Sequence, residues 1–311
     1  MTAAGLFFFG CALLLSACAS LSGPDLPVAP PGGAARVIVR GGPFYPQEKY
    51  QCGPASLAML LTWSGAATTP EALVPEIYTP ARRGGLQSAL IAGARRHGRI
   101  AYPIAGLEML FAEIEAGRPV LVLQNLAFSW YPKWHYAVVV GYDRHERVVF
   151  LHTGTRENEK ISLRLFNNTW ARGGFWGLLV LEPSLLPVKV DAAAWLDAAV
   201  GLELAEQWPA AAVAFGKASE RWPQNHAAWI GLGNSRFSLH DSEGAALAFE
   251  RATRLQPESG VAHNNLAQAL AAMGRYDEAL TAARRAVTLG GPFLEQFRAT
   301  LAKIETAAPG L

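Results

Sequence analysis

Apolar positions change their spacing twice along this chain, and the changes divide it into segments of different build. Between residues 52 and 116 they recur at helical intervals. Leu57, Leu60 and Leu61 share one face of a segment that opens at Cys52-Gly53-Pro54 and ends near Gly65. Pro54 suits a first helical turn, where its missing N–H costs no bond. Thr69-Pro70-Glu71 reads as the N-cap and first turn of a second helix, which Pro80 closes. A third runs from Gly85 to His97, where His97-Gly98 marks a helix end stabilised by the dipole. Leu107, Leu110, Phe111 and Ile114 line a fourth, from Leu107 to Ala116. Beyond it the runs become short and rich in Val, Leu and aromatics: 119–123, 136–142, 148–151 and 176–181. These read as strands of a mostly antiparallel sheet, and Val37-Ile38-Val39 as one more short strand. Helices first and strands afterwards predict an α+β domain over 36–183.

Pro183 to Pro187 marks a boundary, after which the strand pattern vanishes and a repeat takes over. Trp195, Trp229 and His263 are 34 residues apart, as are Ala211, Ala245 and Ala279. The same interval links Phe215, Phe249 and Ala283, then Ala218, Ala252 and Ala286, then Pro223, Pro257 and Gly291. That period with those residue types resembles tetratricopeptide repeats, which pair two helices per unit. The resemblance implies an all-α solenoid over 192–305, three repeats with a capping helix from Phe293 to Glu305, after a linker at 184–191. It also implies a concave surface that holds a peptide or protein partner. His263 in place of Trp and Ala283 in place of an aromatic depart from the repeat.

The N-terminus carries an apolar run from Leu6 to Leu15, too short to span a bilayer, ending in Leu15-Ser16-Ala17-Cys18. It looks like a bacterial lipoprotein signal over 1–17, with Cys18 as the lipidated first residue of the mature chain. The run lacks the preceding Lys or Arg of an ordinary secretory signal. Ala19 implies sorting to the outer membrane, periplasmic side. The Pro, Gly, Ala and Ser of 18–35 make a spacer between anchor and body. The formal charge of +2 points to neither nucleic acid nor an anionic membrane surface. Arg82-Arg83, Arg95-Arg96 and Arg284-Arg285 read as solvated helix faces or ends.

The cysteine count then becomes informative. Of three cysteines, Cys11 leaves with such a signal and Cys18 is consumed by lipid, so Cys52 stays as a lone thiol in a disulfide-permissive compartment. It sits where a loop becomes a helix, and unpaired N–H groups and the dipole there favour its thiolate. A thiol needs a base, and His135 opens the apolar strand 136–142 in the same domain. In a hairpin turning around Asp143 to Glu146, residues near 152 lie opposite those near 135. The orienting residue for His135 is therefore expected at His152-Thr153-Gly154.

Gln47…Cys52-Gly53-Pro54-Ala55-Ser56, followed by Trp134-His135-Tyr136-Ala137-Val138-Val139-Val140-Gly141-Tyr142-Asp143, resembles the papain-like peptidases related to bacteriocin leader-processing (double-glycine) enzymes. The resemblance implies Cys52 as nucleophile, His135 as general base and acid, and Gln47 as oxyanion-hole donor beside the Cys52 N–H. Gln51 is the alternative donor. The family usually carries Asp where this chain has His152, so the third catalytic residue is His152 itself or the hydroxyl of Thr153. Asp143 is expected in the turn, away from His135. Phe128, Trp130, Tyr131 and Trp134 directly precede His135 and are expected to divide between a substrate cleft and the core. A metal site on Cys52, His135 and His152 has no supporting ligand spacing, and no cofactor motif is visible.

These readings point to an outer-membrane-anchored thiol peptidase that takes a peptide or protein substrate. The alternatives are a peptidase fold that binds without turnover, and an acyltransferase or cell-wall amidase using the same thioester chemistry.

Overall fold

The computed structural model describes residues 34–47, 51–82 and 84–308. The signal at 1–17, most of the spacer, and Cys11 and Cys18 lie outside the described residues. After strand β1 (Arg36–Ile38) come the helices α1 (Cys52–Trp63), α2 (Pro70–Ile77) and α3 (Gln87–Arg96). The short strands β2 (Tyr78–Thr79) and β3 (Gly84–Gly85) pair between α2 and α3. Gly84 and Gly85 are thus strand rather than helix, which delays α3 to Gln87. Next are β4 (Ile100–Ala105), α4 (Leu107–Glu115), β5 (Val120–Asn125), β6 (Trp134–Asp143) and β7 (Val148–Thr153). The domain closes with β8 (Arg156–Ser162), α5 (Leu163–Ala171) and β9 (Trp176–Leu181).

The sheet is antiparallel, in the order β4-β9-β5-β6-β7-β8, with β1 pairing on β6. Period-2 alternation sorts its side chains onto two faces. Tyr136, Val138 and Val140 point with Leu121 and Leu123 toward α1–α3. Ala137 and Val139 point with Val120 and Val122 toward α4 and α5. Helix α1 is buried along its whole length from Gly53 to Leu61, which explains a sequence apolar nearly all round. Gly93 lets α3 cross it closely: a Cβ there would lie 2.9 Å from Leu57 Cδ2 and 2.7 Å from Ile77 Cδ1.

The helices after β9 are α6 (Ala192–Glu203), α7 (Trp208–Arg221), α8 (His226–Ser238), α9 (Ser242–Leu255), α10 (Gly260–Ala272), α11 (Tyr276–Leu289) and α12 (Leu294–Ala307). They form three antiparallel pairs and a terminal helix, and the 34-residue register is visible in the packing. Ala211, Ala245, Ala279, Ala218, Ala252 and Ala286 are fully buried, and Phe215 and Phe249 fill the space between units. His263 fills its repeat position by making the same contact as Trp229. Trp229 Nε1 donates to the Pro223 carbonyl at 3.0 Å, and His263 Nε2 lies 3.1 Å from the Pro257 carbonyl, one period later.

The repeats are docked on the sheet rather than strung from it. Trp195, Ala198, Ala199 and Leu202 of α6 share one apolar cluster with Ile100, Tyr102 and Leu181. The segment 184–191 is tied down as well. Arg118 donates to the Leu186 carbonyl at 2.7 Å, the Val188 N–H to Glu113 at 2.6 Å, and the Asp191 N–H to Tyr102 Oη at 3.1 Å. Among the described residues, no helix is long and apolar enough to cross a membrane.

Candidate active site

Cys52 is the first residue of α1, half-buried, and the only free cysteine among the described residues. The backbone of Tyr136, of Gly53 and of Cys52 itself lowers its thiol, which only N–H donors can do. The helix N-terminus therefore acts as expected. Burial acts the other way and is the larger influence, so the thiol is pushed above its ordinary value. The thiolate expected from position alone is not the resting state, because a buried sulfur loses the water that would solvate its charge.

Tyr136 directly follows His135 on β6 and puts its backbone beside the thiol, while the His135 side chain, alternating along the strand, shares the Ala137 face with Thr153. His135 Nε2 lies 2.6 Å from Thr153 Oγ1. Burial, with Lys133 adding to it, lowers the imidazole to about 4, although Glu159 opposes the shift. The thiol and the imidazole are therefore both neutral through the physiological range.

His152 is not the orienting residue. The strands β6 and β7 pair Val138 with His152, with an irregularity between Val139 and Gly141, so His152 shares the Val138 face. There its ring packs 5.3 Å from that of Phe44, and its Nδ1 accepts from the Asn158 N–H at 3.2 Å. Thr153 points to the other face and meets His135 diagonally. A one-residue offset along a strand exchanges faces, and that offset separates the two candidates.

Gln47 is buried, and its amide joins three elements. Nε2 donates to Ser56 Oγ on α1 at 3.2 Å and to the Tyr136 carbonyl at 3.3 Å, while Oε1 accepts from the Gly154 N–H at 3.0 Å. Its own N–H donates to the Gly154 carbonyl at 2.8 Å. Gln47 thus stands beside the first turn of α1 and the end of β7. Gln51 is the N-cap residue of α1 and makes no side-chain cap. Asp143 caps the turn after β6, accepting from the Glu146 N–H, as expected of a turn residue.

Ser56, Tyr136 and Glu159 are the participants that sequence reasoning missed. Ser56 and Tyr136 are ordinary apolar-run neighbours in sequence, and only pairing with Gln47 and Cys52 reveals them. The aromatic segment also differs from expectation. Phe128 is 64% exposed, Trp130 81%, Tyr131 69% and Trp134 54%, so none of them serves the core. Asn125, itself buried, holds their loop from inside: its Oδ1 accepts from the N–H groups of Ala127 and Lys133, and its Nδ2 donates to the Phe128 carbonyl. With the backbone satisfied inward, the rings are turned outward, Phe128 stacked on Trp130 at 5.6 Å between centroids.

The depressed His135 value makes a prediction. A group whose folded pKa lies below its unfolded one contributes stability that is complete above about 6.5 and lost as pH falls toward 4. Glu113 and Glu203 are shifted upward and act oppositely, so the comparison must cancel them. Between pH 7 and 4 the wild type should lose about 2–3 kcal/mol relative to His135→Gln in parallel denaturant titrations. Equal losses in the two proteins would mean that His135 titrates normally.

Residues 41–176 match the Peptidase_C39-like family, and residues 202–257 and 230–292 match the tetratricopeptide repeat. No curated protein sequence matches the chain. Among solved structures, a Bacillus anthracis protein assigned as a C39-like peptidase is 19% identical, covering 48% of this chain and 98% of its own, with a TM-score of 0.41. The first tetratricopeptide domain of Spaghetti, bound to an HSP90 peptide, is 19% identical, covering 40% of this chain and 99% of its own, with a TM-score of 0.37. The TPR2B domain of yeast Sti1, in its pHsp70 complex, is 18% identical, covering 37% and 96%, with a TM-score of 0.36.

Proposed function

For a chain that joins a peptidase-C39-like domain to tetratricopeptide repeats, we propose a thiol peptidase in which Cys52 attacks an amide carbonyl and His135 moves the proton. The observation that carries the reading is Gln47 Nε2 bridging Ser56 on the Cys52 helix and the carbonyl of Tyr136, the residue after His135, which joins the helix that bears the thiol to the strand that bears the imidazole. Thr153 Oγ1 accepts from Nε2, leaving Nδ1 as the base. As the S–C bond forms, the thiol proton passes to Nδ1, so the thiolate is never stored. The carbonyl oxygen takes up the negative charge, which the Cys52 N–H and Gln47 Nε2 stabilise once Gln47 releases one of its two long internal contacts. Collapse breaks the C–N bond, and the imidazolium gives its proton to the leaving amine. A water, deprotonated by His135, then attacks the thioester and expels the Cys52 sulfur, which recovers the proton.

The exposed rings of Phe128 and Trp130 give the substrate an apolar side chain to pack against, beside the strand that begins at Trp134. The repeats recruit a protein or peptide partner, and lipidated Cys18 tethers the chain to the outer membrane on its periplasmic side. Labelling with palmitate analogues in a bacterial host, lost in Cys18→Ser, tests the anchor. Cleavage of a mixed peptide library, read by mass spectrometry and absent in Cys52→Ala, tests the peptidase.

A fold that binds without turnover is the second reading, favoured by Thr153 standing where an acid would stabilise an imidazolium. The difference is measurable. Thr153→Asp should raise the His135 pKa, followed by the imidazole proton signals in NMR, from near 4 to above 6. Thr153→Val should lower kcat about 10–100-fold with little change in KM, because the ring loses its orientation. An unchanged kcat in Thr153→Val would remove Thr153 from the mechanism.

A further inference from the structure

Helices α6, α8 and α10 stand side by side and line an open groove of about 410 Å³. Its walls are apolar and amide: Val200 from α6 and Leu204 at its C-cap, Trp208 from α7, Phe237 from α8, and the amides of Asn234 and Asn265. Leu204 is 80% exposed, an apolar side chain left without a cover. Asn265 Nδ2 donates to Asn234 Oδ1 at 3.0 Å, so the two amides form a short ladder across neighbouring helices. Asn264 Nδ2 donates to Asn265 Oδ1 at 3.2 Å, and the Asn234 amide N–H groups remain to meet the carbonyls of an extended peptide.

One charge breaks the pattern. Glu203, the last residue of α6, is the only charged side chain lining the groove among the described residues. The fully buried Ser235 Oγ lies 3.2 Å from it and 2.8 Å from the Gly231 carbonyl, which share its single proton. No cation among the described residues pairs with it, whereas Glu220, Glu250, Glu278, Glu295 and Glu305 of the repeat helices each have an Arg or Lys partner. A half-buried carboxylate without a counter-ion is costly to keep, and its burial shifts it up to about 7. An arriving cation removes that cost, and the rings of Trp208 and Phe237 on the same walls favour a cation too.

We propose that this groove receives a peptide carrying a lysine or arginine side chain, which enters beside Trp208 and Phe237 to pair with the Glu203 carboxylate while the Asn234–Asn265 ladder holds the peptide backbone. The proposal rests on the reading that the repeats recruit a peptide, and it states the charge that the peptide carries. The apolar lining at Val200 and Leu204 takes the residues on either side of the cation. A partner with an acidic end would meet a like charge and be turned away.

The test uses the full chain carrying Cys52→Ser, so that no peptide is consumed, at pH 8, where Glu203 is ionised. Three labelled, doubly capped peptides, Ala-Leu-X-Leu-Ala with X lysine, norleucine or glutamate, are titrated by fluorescence anisotropy. The lysine peptide should bind at least tenfold tighter than the norleucine peptide, and the glutamate peptide weakest of the three. Glu203→Gln should erase the lysine preference while leaving the norleucine affinity within twofold, and Glu203→Lys should reverse it toward glutamate. Should the Glu203 variants fail to fold by circular dichroism, Trp208→Leu provides the check, with a predicted fivefold or greater loss for lysine alone. Equal affinities for the three peptides in the wild type, or a lysine preference that survives Glu203→Gln, overturns the proposal while leaving partner recruitment intact. Binding of none of them up to about 1 mM overturns both. Peptide cleavage by the unmodified chain is unaffected by any of these outcomes.

Discussion

Cys52→Ala is expected to reduce peptide cleavage by at least about 10⁴-fold in kcat/KM, with His135→Ala nearly as severe at about 10³–10⁴-fold. The size of the second effect follows from the resting charges. Burial holds the thiol above its ordinary value and His135 at about 4, so the sulfur has little nucleophilicity before the imidazole takes its proton. Were the thiolate preformed, losing His135 would leave an anion able to attack, and the loss would be smaller. Because the two residues act as one unit, Cys52→Ala/His135→Ala should be no worse than Cys52→Ala alone. The same neutrality sets the pH profile: kcat/KM should stay flat between about pH 5 and 8, with its acid limb near 4. Additive losses in the double variant, or an acid limb near 6.5, would contradict the neutral pair.

Trp195→Ala carries the largest expected effect on stability, about 3–5 kcal/mol, read as a midpoint shift in urea and a fall of about 10 °C in Tm. The indole is fully buried in the cluster that unites α6 with β4 and β9, and its Nε1 donates to the Ala214 carbonyl at 3.0 Å. Removing it opens a cavity and takes from that carbonyl the second of its two donors, the helix bond from the Ala218 N–H remaining. It also tests whether the repeats and the sheet share one core. With a shared core, near-UV signals from the sheet and far-UV helix signals should fall together in the wild type, and Trp195→Ala should separate them. Two separate transitions already present in the wild type would mean that 184–191 behaves as the linker its composition suggests.

Much of this architecture is readable from residues alone, for identifiable reasons. A 34-residue period repeated three times is a strong signal because each position must pack against its counterpart in the next unit, as Ala211, Ala245 and Ala279 do. Helix α1 and the strands β5, β6, β7 and β9 are buried apolar runs with clear punctuation. The elements that escaped notice are the edges. Strand β4 contains Pro103, which a central strand would not tolerate, but β4 pairs only with β9 and its Pro103 is exposed. Strand β8, Arg156 to Ser162, is polar apart from Ile161 because it forms the opposite edge. Helix α5 did carry a signal, since Leu163, Phe166 and Trp170 recur at helical spacing, and Phe166 and Trp170 are fully buried. At the site, Gln47, Cys52 and His135 were legible as residue types in a familiar order. The choice between His152 and Thr153 was not. It depends on the irregularity between Val139 and Gly141 and on which face each side chain takes, and neither has a mark in the sequence.

The same limit applies to the thiol. A helix N-terminus argues for a thiolate, and the N–H groups are where that argument puts them. How much water reaches the sulfur depends on Tyr136 and the packing around it, which the local sequence does not report. Here burial outweighs the dipole.

The measurement that bears most directly on the pairing of Cys52 with His135 needs no knowledge of the natural substrate. The protein is mixed with an activated ester, the p-nitrophenyl ester of acetyl-phenylalanine, whose ring suits the exposed aromatic surface before His135. Nitrophenol release is followed by stopped flow, and the quenched protein is weighed by intact-mass spectrometry. A burst of one equivalent is expected, with one acyl mass on the protein, no adduct in Cys52→Ala, and a burst at least about 10²-fold slower in His135→Ala. No acyl adduct on Cys52, or one that forms equally fast without His135, would contradict the pairing.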